Sequence, residues 1–207
     1  MQQQTPEWFE ARLGKVTASR IIDVTAKLKS GAYTQKRQDY LEQLVAERLS
    51  GQPTRHFVTA AMQFGIEHEA EARAFYESKT GHLVEEVGFI DHPTIALAGA
   101  SPDGLINADG MVEIKCPSTT THIDFFLQRE IPHQYALQMT WQMVCAQRTW
   151  CDLVSYDPRL PDLYKMVVVR FAFDPALARQ LEHDVSVFLQ EIHQYVQRLA
   201  LAAKEAA

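Results

Sequence analysis

The chain has 207 residues, of which 46% are apolar and 22% are charged. This length and apolar content suit a single α/β domain with a sizeable core. No segment approaches the roughly 18 to 20 continuous apolar residues of a membrane span, and the first residues lack the pattern of a signal peptide. We therefore expect a cytoplasmic protein without membrane contact. The three cysteines lack zinc spacing and are expected to be reduced packing residues: Cys116, Cys145 and Cys151.

The charge is unevenly distributed along the chain. The formal net charge is −6, which by itself argues against nucleic-acid binding. Residues 1–60, however, carry nine Lys and Arg against six acids, whereas residues 61–207 carry eleven against twenty. A local basic patch can still steer a polyanion, while the acidic remainder keeps the protein soluble.

The first 60 residues are predicted to be mainly helical. Thr5 followed by Pro6 indicates the start of a short helix that Gly14 ends. Thr17 is expected to cap a second helix. Helical spacing of apolar residues predicts a third helix over residues 34–49, and residues 53–57 are predicted to be a loop.

A longer helix is predicted over residues 59–79. Gly65 lies inside it, where glycine costs about 1 kcal/mol relative to alanine, so we expect another backbone to approach closely there. Glu69 lies one turn later on the same face, so it points inward if Gly65 faces the core. The alternative interpretation, a solvated acidic face, suits Glu67 and Glu71 better.

The remaining elements alternate strands with helices. Strand-like runs occupy 83–90, 95–98, 150–156 and 164–173. Helices are predicted over residues 132–146 and, opened by Asp174 and Pro175, over 174–203. The fold class is therefore α/β, with a mixed central β-sheet flanked by helices. One domain, 1–207, would comprise a helical N-terminal part (1–60), a core (61–173) and a C-terminal helix (174–203).

A hairpin is predicted within residues 101–117. Strands at 105–106 and 111–115 flank a polar corner, where Asp109 and Gly110 are expected to supply the positive φ of a tight turn. Because side chains alternate along a strand, Glu113 and Lys115 point to one side. The fold-back brings Asp103 to the same end of the hairpin.

Two carboxylates and a lysine therefore converge. One interpretation is a surface ion pair worth roughly 0 to 1 kcal/mol; the other is a site for a hard cation. Asp followed by Glu-x-Lys suits a metal-dependent phosphodiesterase, in which the ion lowers the pKa of a bound water and the lysine stabilises developing charge. Pro102-Asp103 and Glu113-Ile114-Lys115 resemble the PD-(D/E)xK core of restriction-endonuclease-like nucleases.

Five blocks in order resemble the phage lambda exonuclease group, the YqaJ-type viral recombinases. They are Trp8 with residues 12–19, Phe64-Gly65 with Glu69, residues 101–104, residues 113–117, and residues 135–138. The resemblance implies a Mg²⁺-dependent, processive 5′→3′ exonuclease on linear double-stranded DNA. Such an enzyme releases mononucleotides and leaves a 3′ single strand for recombination. It further implies a ring-shaped homotrimer acting at DNA ends beside a single-strand annealing protein.

The resemblance also implies roles for individual residues. Asp103, Glu113 and the backbone carbonyl of Ile114 would bind one Mg²⁺, and Glu69 would support a second, with Mn²⁺ able to substitute. Lys115 and Gln138 would position and activate the attacking water.

A 5′-phosphate pocket is implied at Arg12, Ser19 and Ser101, and the helix expected after Thr17 would add its N-terminal amides. The alternative for Arg12 is a structural role, in which the aliphatic part of its side chain packs beside Trp8. Residues 118–122 depart from the best-known member of the family, in which an arginine follows the positions of Cys116-Pro117. His122 is one candidate to replace that arginine.

Three other functions stay open at this level. A nuclease with the same core could cut internally, although Arg12 and Ser19 argue against that. A catalytically silent module could bind DNA ends, but it would not need Asp103, Glu113 and Lys115 together. A structural ion cluster would not account for the ordered blocks.

Overall fold

The computed structural model describes residues 1–54 and 58–206. The last three residues of the predicted loop at 53–57, and residue 207, lie outside this described part. The helices are α1 (Pro6–Arg12), α2 (Ile21–Thr25), α3 (Gln35–Ser50), α4 (Ala60–Thr80), α5 (Thr119–Gln128), α6 (His133–Ala146) and α7 (Pro175–Glu205). The strands are β1 (Val16–Thr17), β2 (Ile90–Asp91), β3 (Ala98–Ala100), β4 (Gly104–Ile106), β5 (Gly110–Lys115), β6 (Trp150–Tyr156) and β7 (Met166–Ala172).

The strands form two mixed sheets flanked by helices. One has the order β1-β3-β2, and the other has the order β4-β5-β6-β7. β1 runs parallel to β3 and β5 runs parallel to β6, while the other neighbours are antiparallel. The predicted α/β class is confirmed, but the single central sheet is divided in two. Residues 101–103 carry the chain from β3 in one sheet to β4 in the other.

Local capping signals place the helix starts as predicted. The backbone N–H of Trp8 donates to Thr5 Oγ1 at 3.4 Å, and that of Met62 donates to Thr59 Oγ1 at 3.2 Å. Asp174 caps α7 by accepting from the N–H of Ala176 at 2.8 Å. Each side chain satisfies an N–H that has no partner inside its helix, which is why these residue types begin helices.

Thr17 does not cap a helix, and that prediction is wrong. It lies in β1, and its N–H donates to Tyr40 Oη at 3.2 Å. A short 3₁₀ turn, Ala18–Arg20, separates β1 from α2, and the Thr17 side chain makes no capping hydrogen bond there. Pairing with β3 holds this segment extended, so tertiary contacts override the local capping signal.

The hairpin forms, but its turn differs from the prediction. The positive φ belongs to Asn107, at 51°, whereas Gly110 is the first residue of β5. Glycine is needed at that position for a different reason, because a Cβ there would overlap the Trp150 ring. Asn107 tolerates the left-handed region through its short polar side chain.

Two further expectations about secondary structure are wrong. The run 83–90 contributes an isolated bridge between Glu85 and Leu105, followed by β2, because it has no partner strand along most of its length. Residues 95–98 reach the sheet only at their last position, where β3 begins. Helix α5 was not predicted from the sequence; Ser118 caps it by accepting from the N–H of Thr121.

The second sheet lies between two helices, and this arrangement creates the site. On one face, Ala72 and Tyr76 of α4 pack in a cluster with Val112 and Ile114 of β5. On the other face, Met139 and Met143 of α6 pack in a cluster with Met111. Glu113 shares the side-chain direction of Met111, and it therefore faces α6 inside the protein. None of the described helices is both long and apolar enough to cross a membrane.

Candidate active site

Glu113 lies at the centre of the site and is 1% exposed. Its Oε1 accepts hydrogen bonds from Lys115 Nζ and, at 2.6 Å, from Gln138 Nε2. Its Oε2 accepts from Gln142 Nε2 at 2.7 Å. β5 supplies Glu113 and Lys115 two residues apart, and successive turns of α6 supply the two glutamines.

Asp103 approaches from the segment that joins the two sheets. Its Oδ2 accepts the backbone N–H of Ile114 at 2.7 Å, which fixes the carboxylate beside β5. Burial raises the pKa of Asp103 well above its usual value, and repulsion from Glu113 and Glu69 raises it further. Burial alone would lower the pKa of Lys115, but attraction to Glu113 and Asp103 outweighs it and raises that pKa. The structure thus brings together the predicted carboxylates and lysine.

Glu69 reaches the same region from α4. Burial raises its pKa, as does repulsion from Glu113, whereas Arg73 opposes the shift. Arg73 lies 3.7 Å from Glu69 and 2.9 Å from Glu86, so it holds the two acids together. The expectation that a second backbone approaches Gly65 is wrong, because a Cβ there would meet open space.

A cavity of about 410 Å³ opens beside these acids. Its lining includes Glu69, Arg73, Asp103 and the first four residues of the chain. Gln3 anchors that N-terminal segment, because its Nε2 donates to the carbonyls of Pro102 at 2.8 Å and Val87 at 3.1 Å. The cavity therefore lies directly against Asp103.

The donor set fits a hard divalent cation. Within the described residues, no three His, Cys, Asp or Glu side chains form a group that could hold a metal ion. Mg²⁺, however, is usually bound by one or two carboxylates, with waters and substrate phosphates completing the shell. Asp103 and Glu113 supply two such carboxylates, and their mutual repulsion is offset only in part by Lys115. A bound cation would remove that excess negative charge.

The predicted phosphate residues flank Trp8. Trp8 Nε1 donates to Ser101 Oγ at 2.9 Å, and the Arg12 guanidinium lies 3.8 Å from the centre of the Trp8 ring. The Arg12 side chain therefore packs on Trp8, and this contact is compatible with both interpretations of Arg12. Burial lowers the pKa of Arg12, and no carboxylate within the described residues forms an ion pair with it.

Ser19 lies near the end of the strand that precedes it, as Ser101 does. Thr17 pairs with Gly99 in the parallel β1–β3 ladder, so Ser19 and Ser101 follow at the same end of the two strands. Ser19 is exposed. The helix N-terminus expected beside Arg12 is absent, because the 3₁₀ turn Ala18–Arg20 occupies that position.

His122 is buried, and its contacts face inward. Its Nδ1 contacts Ser155 Oγ at 2.8 Å and its Nε2 contacts the Tyr164 carbonyl at 2.8 Å. Both ring nitrogens are engaged, so His122 does not replace an exposed arginine. An arginine does contact Pro117: Arg159 donates from Nη2 to the Pro117 carbonyl at 3.0 Å and lies over the Phe64 ring.

Three side chains around the site were not predicted from the sequence: Arg73, Gln142 and Arg159. Gln142 had a usable signal, since it follows Gln138 by four residues and must share its helix face. Arg73 likewise follows Glu69 by four residues. Arg159 had no local signal, because its contact with Pro117 joins residues 42 positions apart.

Comparison with known proteins identifies the family. The profile of the YqaJ-like viral recombinase domain matches residues 7–149. The chain belongs to that family. It is also 47% identical to an alkaline exonuclease, LHK-Exo, from Laribacter hongkongensis, with a TM-score of 0.91 over 98% of this chain and 100% of that one. The same exonuclease matches equally well as a complex with dAMP.

A more distant structure supports the fold alone. A phage-related exonuclease from Haemophilus somnus 129PT is 14% identical, with a TM-score of 0.75 over 89% of this chain and 96% of that one. No curated protein matches the chain. The predicted family and the predicted enzyme class, an exonuclease, are confirmed.

Proposed function

We propose that the protein is a Mg²⁺-dependent exonuclease that degrades the 5′-ended strand of linear double-stranded DNA, processively and to mononucleotides. The observation that carries this proposal is the contact of Glu113 with Lys115 and Gln138 beside Asp103. The 3′ single strand left behind would be the substrate for annealing recombination. The dAMP complex of LHK-Exo supports a mononucleotide product.

Each side chain has a separate task in the proposed reaction. Asp103, Glu113 and the Ile114 carbonyl would hold one Mg²⁺, and Glu69 would support a second, with Mn²⁺ as a substitute. The bound ions would lower the pKa of a water and offset charge on the scissile phosphate. Lys115 and Gln138, both partly exposed and both bonded to Glu113 Oε1, would orient that water and stabilise the developing charge.

The direction of digestion would come from the group around Trp8. Arg12 forms no ion pair with a carboxylate within the described residues, so its guanidinium would pair with phosphate oxygens. Ser19 and Ser101 would add hydroxyl donors. Because residues 101–103 link this group to Asp103, a bound 5′ phosphate would set the terminal bond at the metal site.

The enzyme would also need a way to remain on DNA. Its net charge of −6 gives little general attraction for a polyanion, so we propose that a closed homotrimeric ring encloses the duplex. A single-strand annealing protein would take up the product strand.

Light scattering at micromolar concentration should give the mass of three chains. A stable monomer that still digests processively would contradict the ring.

A nuclease assay on three substrates tests the proposed function. Linear duplex with 5′ phosphate, the same duplex with 5′ hydroxyl, and closed circular duplex are each incubated with Mg²⁺ or with chelator. We expect mononucleotides only from linear DNA with Mg²⁺, and fastest from the phosphorylated end. Nicked circles would instead indicate an endonuclease, and end binding without any product would indicate a silent module.

Replacing Arg12 tests the pocket separately. We expect Arg12→Ala to erase most of the preference for 5′-phosphorylated ends by slowing only that substrate, because the phosphate loses its paired hydrogen bonds. Lys29→Ala, which removes an exposed cation from a surface turn, is the matched control and should keep the preference. An unchanged ratio in Arg12→Ala would reject the pocket while leaving the metal site standing.

A further inference from the structure

Gln142 is a fully buried amide in the middle of α6. Its Nε2 donates to Glu113 Oε2 at 2.7 Å, and its Oε1 has no hydrogen-bond partner within the described part of the chain. The amide orientation follows from the contact, because a carboxylate accepts hydrogen bonds and would repel the amide oxygen. The amide nitrogen is therefore bonded to Glu113, whereas the amide oxygen is buried without a hydrogen-bond donor.

A buried acceptor without a partner destabilises the fold, whereas an apolar side chain of similar shape would avoid that cost. Methionine occupies such positions on either side in the same helix, at Met139 and Met143, and both are buried. The presence of an amide at position 142 is therefore explained by its donor and not by its packing. That donor serves one group, the Glu113 carboxylate.

We propose that Gln142 is a positioning residue that holds Glu113 in the orientation needed to bind the metal ion; this inference rests on the proposed metal-dependent function. Lys115 and Gln138 bond to Oε1 and are partly exposed, so both can turn toward water or substrate during the reaction. Gln142 is shielded from solvent and bonds to Oε2. It keeps the carboxylate from rotating when the other two contacts change.

The proposed role differs from that of Gln138, and the difference can be measured. Loss of a side chain that orients a metal ligand typically weakens metal affinity about 10- to 100-fold. We expect Gln142→Met to show such a loss, with its single-turnover rate recovering to within about threefold of wild type at saturating Mg²⁺. Gln138→Met should behave in the opposite way, because Gln138 acts on the water: its rate stays low at saturating Mg²⁺.

The experiment measures Mg²⁺ binding to the full chain by calorimetric titration without DNA, alongside thermal unfolding in chelator. The variants are Gln142→Met, Glu113→Gln and the control Thr140→Val, which removes a buried hydroxyl that donates to the Ala136 carbonyl of the same helix. Thr140→Val should bind Mg²⁺ as wild type does. Gln142→Met should unfold below wild type by no more than about 8 °C, because Glu113 Oε2 loses its donor while the unpartnered amide oxygen is removed.

The outcomes separate this inference from the function on which it rests. If Glu113→Gln weakens Mg²⁺ binding while Gln142→Met binds as wild type does, the positioning role is overturned and the metal site stands. If wild type binds no Mg²⁺, or Glu113→Gln binds it unchanged, the proposed metal-dependent function itself is overturned. Should Gln142→Met fail to fold, Gln142→Asn tests the same point, because its amide is too short to keep the contact.

Discussion

Two regions of this protein contain buried acids that are compensated in different ways. Beside α4, Asp152 of β6 accepts from Tyr76 Oη at 2.6 Å and from two Arg170 nitrogens at 2.8 and 2.9 Å. At the active site, Asp103 and Glu113 share one lysine, Lys115. The first region balances its charge within the protein, whereas the second retains an excess of negative charge.

The pKa values of two aspartates show the same contrast. Burial alone would raise the pKa of Asp157, but hydrogen bonds from Arg159 and Thr119 outweigh it and lower the pKa to about 2. Burial and neighbouring carboxylates raise the pKa of Asp103 well above its usual value. Acids that stabilise the fold are therefore paired with arginines of the same protein. The acids of the proposed reaction lack enough positive charge nearby and would be neutralised by a bound cation.

The largest expected effect comes from removing the lysine of the active site. Lys115→Ala should lower the single-turnover rate about 10²- to 10³-fold while Mg²⁺ binding persists, because Lys115 acts on the water and the developing charge. Lys165→Ala, which removes a lysine paired with Asp162 on the surface, should leave the rate unchanged. A Lys115→Ala rate above about a third of wild type would show that the assigned role is wrong.

Removing Asp152, the acid whose charge is balanced within the protein, should lower stability and leave the reaction rate unchanged. Asp152→Ala leaves the Tyr76 hydroxyl and the Arg170 guanidinium without their acceptor, and we expect a loss of about 2–3 kcal/mol in the free energy of unfolding. Urea titration measures this change. Digestion per folded molecule should stay at the wild-type level. A stable Asp152→Ala protein with impaired digestion would remove the distinction between the two regions.

Replacing an active-site acid should have opposite effects on metal binding and on stability. Asp103→Asn keeps an oxygen for the Ile114 N–H but removes the charge that Glu113 and Glu69 repel. In chelator we expect unfolding to require about 0.5–2 kcal/mol more than in wild type, together with weaker Mg²⁺ binding and lower activity. If calorimetric Mg²⁺ titration is unchanged in this variant, Asp103 is not a metal ligand.

The smallest effect is a pH dependence at Asp157. Its pKa of about 2 in the folded protein lies below the unfolded value of about 3.9, so its ionised form stabilises the fold. The stability difference between wild type and Asp157→Asn should be constant above about pH 5 and shrink as the pH falls from about 4 toward 2. A difference that grows in acid would mean that Arg159 does not hold this carboxylate ionised.

Local chemistry predicted much of this protein from the sequence. Thr5, Thr59 and Asp174 begin helices because their side chains accept from N–H groups within three residues. The hairpin and the convergence of Glu113 with Lys115 follow from the two-residue period of a strand. These features depend on neighbours in the chain, so the sequence alone determined them, together with the resemblance that led to the family.

Contacts between distant residues could not be predicted in the same way. Thr17 lies in a strand because β3, some 80 residues later, pairs with β1. His122 turns inward because its ring nitrogens bond to the Ser155 hydroxyl and the Tyr164 carbonyl, and Gln142 meets Glu113 across 29 residues. Only the tertiary structure decided these contacts. Strand pairing and the packing of α6 on β5 depend on how the whole chain buries its apolar surface, which a local sequence pattern does not specify.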